Sequence, residues 1–338
     1  MDSVRFVTRS VLFGSLIIAI VAVLFSTPLS RILSPFSTWR PAFSLLLRHQ
    51  ISNQTSTYTS HAMSATRPPV YFFSHGGPTV QYDTGHPAYP ILQRIGREIT
   101  EKVKPKAVVV FSGHWEAERD RIEVNSAEHT DLIYDFYGFP PEFYKAQYPN
   151  RGSPELAFKI IHLLTEAGIK AKGVTRGLDH GVWSGFNVAF NPKDNPLNVP
   201  LVQVSLYANQ DVDMHYKLGE AVASLRDENI VIIGAGMSVH NLRDMLTSRF
   251  DPRPMPYTAS FDEALKEAVE SPPSERQARM REVAKRPDAR QAHPRFDHLM
   301  PVYVAAGAAG GDAGKRTWTL HEGSMGWAQY TFGEVPKP

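Results

Sequence analysis

The chain has 338 residues, 42% of them apolar, and its formal net charge is +2. This length and apolar content can bury a large core, which excludes a disordered chain, and the balanced charge without a lysine- and arginine-dense block argues against a nucleic-acid partner. No cysteine is present. Disulfides, thiolate nucleophiles and cysteine-rich zinc sites are therefore excluded, and nitrogen and oxygen remain as metal ligands.

The first 66 residues differ in composition from the rest. No acidic residue lies between Asp2 and Asp83, and an apolar run spans residues 11–25 after two arginines. At about fifteen residues this run is short for a membrane span but near the length of a signal-peptide core. We expect residues 1–66 to be a leader: a membrane anchor with contact through residues 11–25, a secretory signal or a mitochondrial presequence. If translation starts at Met63, the protein is cytoplasmic.

Residues 67–338 alternate short apolar runs with amphipathic stretches, a pattern typical of an α/β domain. We predict a single domain in which helices flank a central mixed sheet and a metal site lies at the strand ends. The predicted strands are 70–74, 107–112, 170–174, 201–205, 230–234, 317–320 and 329–332, and the predicted helices are 89–103, 154–167, 215–227, 274–286 and 301–309.

Three histidines come at or soon after the ends of predicted strands. His75 and His114 follow the runs at 70–73 and 107–111, and His240 follows the run at 230–233 by a few residues. In open α/β sheets, ligands gather at the carboxyl ends of the strands. Because neutral imidazole is the commonest side-chain metal ligand, these three histidines are candidate ligands.

Two further histidines each follow an aspartate. The run Asp179-His180-Gly181 suits an acid/base group, with Asp179 as the candidate carboxylate that orients it. Asp297, which precedes His298, equally suits the N-cap of a helix. The sequence has no HExxH, glycine-rich phosphate loop or GxSxG motif, which argues against a zincin, a mononucleotide-binding protein and a serine hydrolase.

From about Val70 to its end, the chain resembles the class III extradiol ring-cleavage dioxygenases of the LigB-like superfamily, and most closely their 4,5-DOPA dioxygenase subgroup. The motifs occur in the family's order: SHGGP, VVVFSGHWE, YDFYGFPPEFY, YPNRGSP, LDHGVW, NVPLVQVSL, GAGMSVHNLR and HPRFDHLMPVYVAAGAAG. The resemblance implies one divalent metal ion. The implied ligands are His75, His114 and His240, with His298 as a candidate fourth ligand and His180 as the acid/base beside the metal.

The best-known members of the superfamily have a glutamate where His240 stands here. The resemblance implies Fe(II) for activity, whereas an all-histidine set also suits Zn(II). It further implies that the substrates are O2 and a catechol, and that the reaction is 4,5-cleavage of L-DOPA or a related catechol. The aromatic segment 134–140 is a candidate for stacking on the catechol ring. Tyr134, Tyr137 and His129 are the candidate substrate contacts.

Two alternatives from other classes remain open at this stage. The same histidines could form a zinc hydrolase, for which Glu116 is the candidate base. A non-catalytic protein that binds aromatic compounds could also retain the pocket. The dioxygenase is favoured because a protein without catalysis has no need of His180.

Overall fold

The computed structural model of this protein describes residues 67–247, 251 and 253–337. The predicted leader, with its apolar run at 11–25, lies outside these residues, so its role and the domain boundary after residue 66 stay predictions. Among the helices of the described residues, none is long and apolar enough to cross a membrane.

The strands of the described residues are numbered in chain order: β1 (Val70–Ser74), β2 (Ala107–Glu116), β3 (Arg121–Asn125), β4 (Lys170–Val174), β5 (Leu201–Leu206), β6 (Ile230–Gly236), β7 (Val239–His240), β8 (Gly314–Trp318), β9 (His321–Glu322), β10 (Met325–Gly326) and β11 (Gln329–Phe332). The helices are α1 (Ala88–Arg97), α2 (Pro154–Glu166), α3 (His180–Ala189), α4 (Val212–Val222), α5 (Leu242–Thr247), α6 (Pro256–Val269), α7 (Pro273–Val283), α8 (Ala289–Ala292) and α9 (Met300–Ala309). A π-helical turn (Glu98–Val103) continues α1, and a 3-10 turn (Ala223–Glu228) continues α4.

Eight strands form the main sheet in the order β4-β3-β5-β2-β6-β1-β11-β8. The four central strands, β5, β2, β6 and β1, are mutually parallel, while β3 pairs with β5 and β11 pairs with β1 in antiparallel fashion. A small sheet of order β7-β10-β9 lies beside it. The prediction of a mixed central sheet is confirmed.

Alternating side chains of the central strands divide the core between the two faces of the sheet. On β2, Val108 and Val110 pack with residues of α1 and α3, whereas Val109 and Phe111 pack with residues of α2, α4, α6 and α9. This alternation follows from the two-residue period of a strand. Because both faces are covered, the central strands read as continuous apolar runs, which is why the sequence revealed them.

Several elements of the described residues were not predicted, among them β3, α3 and α6. Strand β3 has only five residues, two of them charged. Helix α3 is buried on nearly all sides, so its sequence shows no polar face of helical spacing. Helix α6 begins at Pro256, directly after a proline-containing loop, and prolines in a sequence favour the prediction of a loop.

Three predicted elements need correction at their bounds. The predicted helix 215–227 begins at Val212 and becomes a 3-10 turn from Ala223 onward. The predicted helix 89–103 becomes π-helical from Glu98 onward. The predicted strand 317–320 lies instead at Gly314–Trp318, where its backbone pairs with β11. Elsewhere the predicted strands and helices match within a few residues.

Candidate metal centre

Five histidines meet at the carboxyl end of the central strands. His75 directly follows β1, His114 lies near the end of β2, and His240 lies in β7, soon after β6. His180 is the first residue of α3, and His298 shortly precedes α9. The common direction of β1, β2 and β6 brings their ends to one edge, as the sequence predicted.

Three of the histidines form the central group. One ring nitrogen from each of His75, His114 and His298 lies within 4.8 Å of the others. The Nε2 atom of His298 is 2.9 Å from Nε2 of His114. The ring of His75 has its centroid 5.2 Å from that of His114 and 5.4 Å from that of His298.

His240 occupies the flank of this group. Its ring stacks on His298 with centroids 3.7 Å apart and planes inclined by 15°. In the part of the chain that the structure describes, a nitrogen of His240 groups with His298 and the carboxylate of Asp297. Of the four candidate ligands, His298 therefore lies in the central group with His75 and His114. His240 lies outside that group, against the ring of His298.

The loop before α9 is held close to β6 at the site. The backbone N–H of Met237 donates to the carbonyl of His298 at 3.0 Å. A Cβ atom added to Gly236 would lie 2.2 Å from that same carbonyl oxygen. Only glycine, which lacks Cβ, allows this approach, so Gly236 helps to fix the position of His298.

A carboxylate that sequence reasoning missed joins two of the histidines. Asp135 accepts a hydrogen bond from Nδ1 of His114 at 2.8 Å through Oδ2. Its Oδ1 atom accepts from Nδ1 of His180 at 2.8 Å and from the backbone N–H of His180 at 3.0 Å. The available signal was a lone acidic residue within the aromatic segment YDFYGFP.

Asp179 does not orient the ring of His180, contrary to the sequence-based expectation. Its fully buried carboxylate accepts from Ser112 Oγ at 2.7 Å, from Arg176 Nη1 at 2.9 Å and from the side-chain amide of Gln203. Adjacent side chains at the start of a helix diverge, and this divergence sends Asp179 away from the His180 ring.

Burial and charge set the protonation of the histidines. Burial lowers the pKa of His75, His240 and His298, and the neighbouring imidazoles lower it further. Burial and His114 also lower the pKa of His180, against the opposing effect of Asp135. For His114, burial acts in the same direction, but the hydrogen bond to Asp135 and the nearby carboxylates outweigh it and raise the pKa.

The donor set fits a divalent metal ion. Nδ1 of His75 lies 2.6 Å from the carbonyl of Gly76, so the proton is on Nδ1 and Nε2 carries a lone pair. That Nε2 is buried without a hydrogen-bond partner. Nε2 of His114 also carries a lone pair, because its Nδ1 donates to Asp135. A cation satisfies such converging lone pairs. Two nitrogens that bind one ion at about 2.1 Å and at right angles lie about 3 Å apart, which matches the 2.9 Å between Nε2 of His114 and Nε2 of His298.

Comparison with known proteins decides which chemistry this centre serves. The family model described as the catalytic LigB subunit of aromatic ring-opening dioxygenase matches residues 62–333. The chain belongs to this family. It is therefore an extradiol ring-cleavage dioxygenase, a metal-dependent enzyme that acts on a catechol with O2.

Relatives of this dioxygenase span most of its length. A 4,5-DOPA dioxygenase extradiol of Beta vulgaris is 36% identical over 269 residues, which covers 78% of this chain and 96% of the relative. A protein of the same name from Escherichia coli strain K12 is 34% identical over 205 residues, covering 60% and 71%. The crystal structure of an uncharacterized protein from Escherichia coli K12 superposes with a TM-score of 0.63 at 27% identity, covering 79% of this chain and 100% of that one.

The predicted substrate contacts of the dioxygenase have different surroundings. Tyr134 donates from its hydroxyl to the carbonyl of Ala146 at 2.7 Å. Tyr137 is 90% exposed, and His129 is exposed after β3. The ring of this aromatic segment that meets a site histidine is Phe136, which lies edge-on to His180 with centroids 5.4 Å apart. The substrate roles of Tyr134, Tyr137 and His129 stay predictions.

Glu116, the candidate base of a zinc hydrolase, is engaged elsewhere. Its carboxylate pairs with the guanidinium of Arg295. Burial raises the pKa of Glu116, whereas Arg295 acts in the opposite direction. Family membership does not favour the hydrolase or the non-catalytic alternative.

Proposed function

We propose that this dioxygenase uses Fe(II) to cleave L-DOPA, or a closely related catechol, at the 4,5-bond. The observation that carries the proposal is the placement of an acid/base candidate beside the metal-binding group: the ring centroid of His180 lies 4.0 Å from that of His114. The substrate is inferred from relatives whose names specify 4,5-DOPA cleavage, one of which is covered over 96% of its length.

Four histidines would hold the ion: His75, His114, His298 and His240. We assign His75, His114 and His298 as its nearest ligands because their nitrogens converge. When bound, Fe(II) would supply the electron transfer that lets a catechol react with O2, which Zn(II) does not support. Neutral imidazoles leave the charge of the ion uncompensated by the protein ligands, and this favours binding of an anionic catecholate.

His180 would take the proton that the catechol loses on binding. Its Nδ1 proton is donated to Asp135, so Nε2 is free to accept. Burial lowers the pKa of His180, which keeps the ring neutral and able to accept a proton near neutral pH. The same ring can later return a proton to the ring-opened product.

The test is an anaerobic reconstitution of the protein with Fe(II), followed by L-DOPA and then air. We expect stoichiometric O2 uptake and a yellow product that gains two oxygen atoms and then cyclises with its own amine, losing water. Zn(II)-loaded protein is the metal control. L-Tyrosine, which lacks the second hydroxyl, is the substrate control, and both controls should give no O2 uptake.

Each part of the proposal has its own contrary outcome. The Fe(II) assignment is wrong if no catechol consumes O2 with Fe(II) bound. L-DOPA is not the substrate if dopamine reacts and L-DOPA does not, and the substrate class is wrong if only catechols without an aminoalkyl side chain react. The position of cleavage is read from the NMR spectrum of the product, and a 2,3-cleaved skeleton would contradict it.

A further inference from the structure

We propose that Asp135 is a positioning residue that sets the proton positions of His114 and His180 together. Each of its two carboxylate oxygens accepts from a different imidazole: Oδ2 from Nδ1 of His114 and Oδ1 from Nδ1 of His180, both at 2.8 Å. This inference rests on the proposed function, in which His114 binds the ion and His180 moves the proton.

A carboxylate can only accept hydrogen bonds, and this fixes both tautomers. His114 and His180 must each present an N–H at Nδ1, so each has its lone pair on Nε2. Nε2 of His114 lies 2.9 Å from Nε2 of His298. In His180, the lone pair on Nε2 allows the ring to act as a base. One acidic side chain therefore prepares a ligand and a proton acceptor in the same step.

The position of Asp135 is itself fixed by hydrogen bonds on both sides. Trp183 of α3 donates from its indole N–H to the carbonyl of Ile133 at 3.0 Å. Tyr144 donates from its hydroxyl to the carbonyl of Phe136 at 3.3 Å. The backbone N–H of His180, at the start of α3, donates to Asp135 itself. The segment that carries Asp135 is thus attached to the helix that carries His180.

No neighbouring carboxylate duplicates these contacts among the described residues. Asp179 is adjacent to His180 in sequence, but its carboxylate accepts from Ser112, Arg176 and Gln203. Oδ1 of Asp297 lies 3.2 Å from Nδ1 of His298, a different ring. Replacement of Asp135 should therefore leave His114 and His180 without a substitute acceptor.

Asparagine at this position gives a sharp test. Its single carbonyl oxygen can accept from one imidazole, while its NH2 group can only donate to the other. The second imidazole must then move its proton to Nε2. Asp135→Asn should therefore damage either metal binding through His114 or proton transfer through His180, although the side chain keeps almost the same size.

The first measurement is the tautomer of each ring in the full-length chain, metal-free and loaded with diamagnetic Zn(II). Histidine-selective ¹⁵N labelling and two-bond ¹⁵N–¹H correlation spectra report which nitrogen is protonated, and His114→Ala and His180→Ala assign the signals. We expect Nδ1–H at both positions in the wild type and an Nε2–H at one of them in Asp135→Asn.

The second measurement is the affinity for Zn(II) and Fe(II), alongside kcat and KM. For Asp135→Asn we expect affinity about 10- to 100-fold weaker or kcat at least about 100-fold lower, with KM little changed. The control is Glu166→Gln, which removes the carboxylate of an exposed histidine–carboxylate pair with His162 on α2. That variant should keep wild-type values for every readout.

The outcomes separate this inference from the proposed function. A wild-type ring that shows Nε2–H and no Nδ1–H overturns the role of Asp135, and this result does not depend on whether Asp135→Asn folds. Two unchanged Nδ1–H signals with wild-type affinity and kcat in Asp135→Asn overturn it as well. If the tautomers and the affinity shift as expected but no catechol is turned over by the wild type, the proposed function fails and the positioning role stands.

Discussion

The ring of His298 stacks on the ring of His240, with centroids 3.7 Å apart and planes 15° from parallel. His298 also has a nitrogen in the group with His75 and His114, so it belongs to two of the three groups of candidate metal ligands found among the described residues. A nitrogen of His240 groups instead with His298 and the carboxylate of Asp297. The two residues should therefore contribute differently to metal binding.

We predict that His298→Ala weakens Fe(II) and Zn(II) binding at least as strongly as His240→Ala. The physical reason is that Nε2 of His298 lies 2.9 Å from Nε2 of His114, where both nitrogens can face one ion. Equilibrium dialysis followed by elemental analysis measures the affinity. His162→Ala, an exposed substitution on α2, is the control. A larger loss for His240→Ala would restore the set His75, His114 and His240 as the main ligands.

Replacing His180 with glutamine should lower kcat by about 100- to 10,000-fold and leave metal affinity within about threefold of the wild type. Glutamine can still donate to Asp135 but cannot take up a proton near neutral pH. Oxygen uptake under saturating catechol measures kcat, and dialysis measures the affinity. Equal loss of metal binding and turnover would place His180 among the ligands instead.

The sequence located the strand ends that carry His75 and His114 because they follow a simple rule. His75 and His114 stand at the ends of continuous apolar runs, and parallel strands bring such ends together. Asp135 could not be found in this way, since it lies in an irregular aromatic segment without a period. The relative positions of His240 and His298 depend on how the loop before α9 packs on Gly236, which is a tertiary contact.

The stability of the metal-free protein should fall below about pH 6.5, in part because of His215. Burial lowers the pKa of His215 to about 4, against the opposing effect of Asp211, whose carbonyl accepts from Nδ1 of the ring. The Nε2 atom of the neutral ring accepts from the backbone N–H of Tyr207. Its contribution is fully present above the unfolded pKa of about 6.5 and is lost as the pH falls toward 4, because only the unfolded chain takes up the proton.

Urea unfolding at pH 7.5 and pH 4.5, with EDTA present, checks this prediction. The free energy of unfolding should fall between these two pH values in both proteins. The fall should be smaller in His215→Gln than in the wild type, and the two falls should differ by about 2–3 kcal/mol. A decline remains in the variant because burial also lowers the pKa of His293 to about 4. Identical pH profiles for the two proteins would contradict the assignment to His215.

Arg276→Met should lower the free energy of unfolding by about 3 kcal/mol or more. The fully buried guanidinium donates to the carbonyls of Asp312 and Gly310 at 2.6 Å, so its removal leaves the carbonyls at the end of α9 without partners. Arg279→Met is the matched control, because Arg279 lies on α7 together with Arg276. It breaks an exposed pair with Glu275 and should cost under about 0.5 kcal/mol in urea unfolding.

The histidines of the centre come from chain segments that are remote in sequence, from the end of β1 to the loop before α9. An ion bound there links these segments in the folded chain and has no equivalent site in the unfolded one. The lifetime of the protein in a cell would then depend on the supply of metal. Chelation or iron starvation should increase its degradation by proteases as well as reduce its activity.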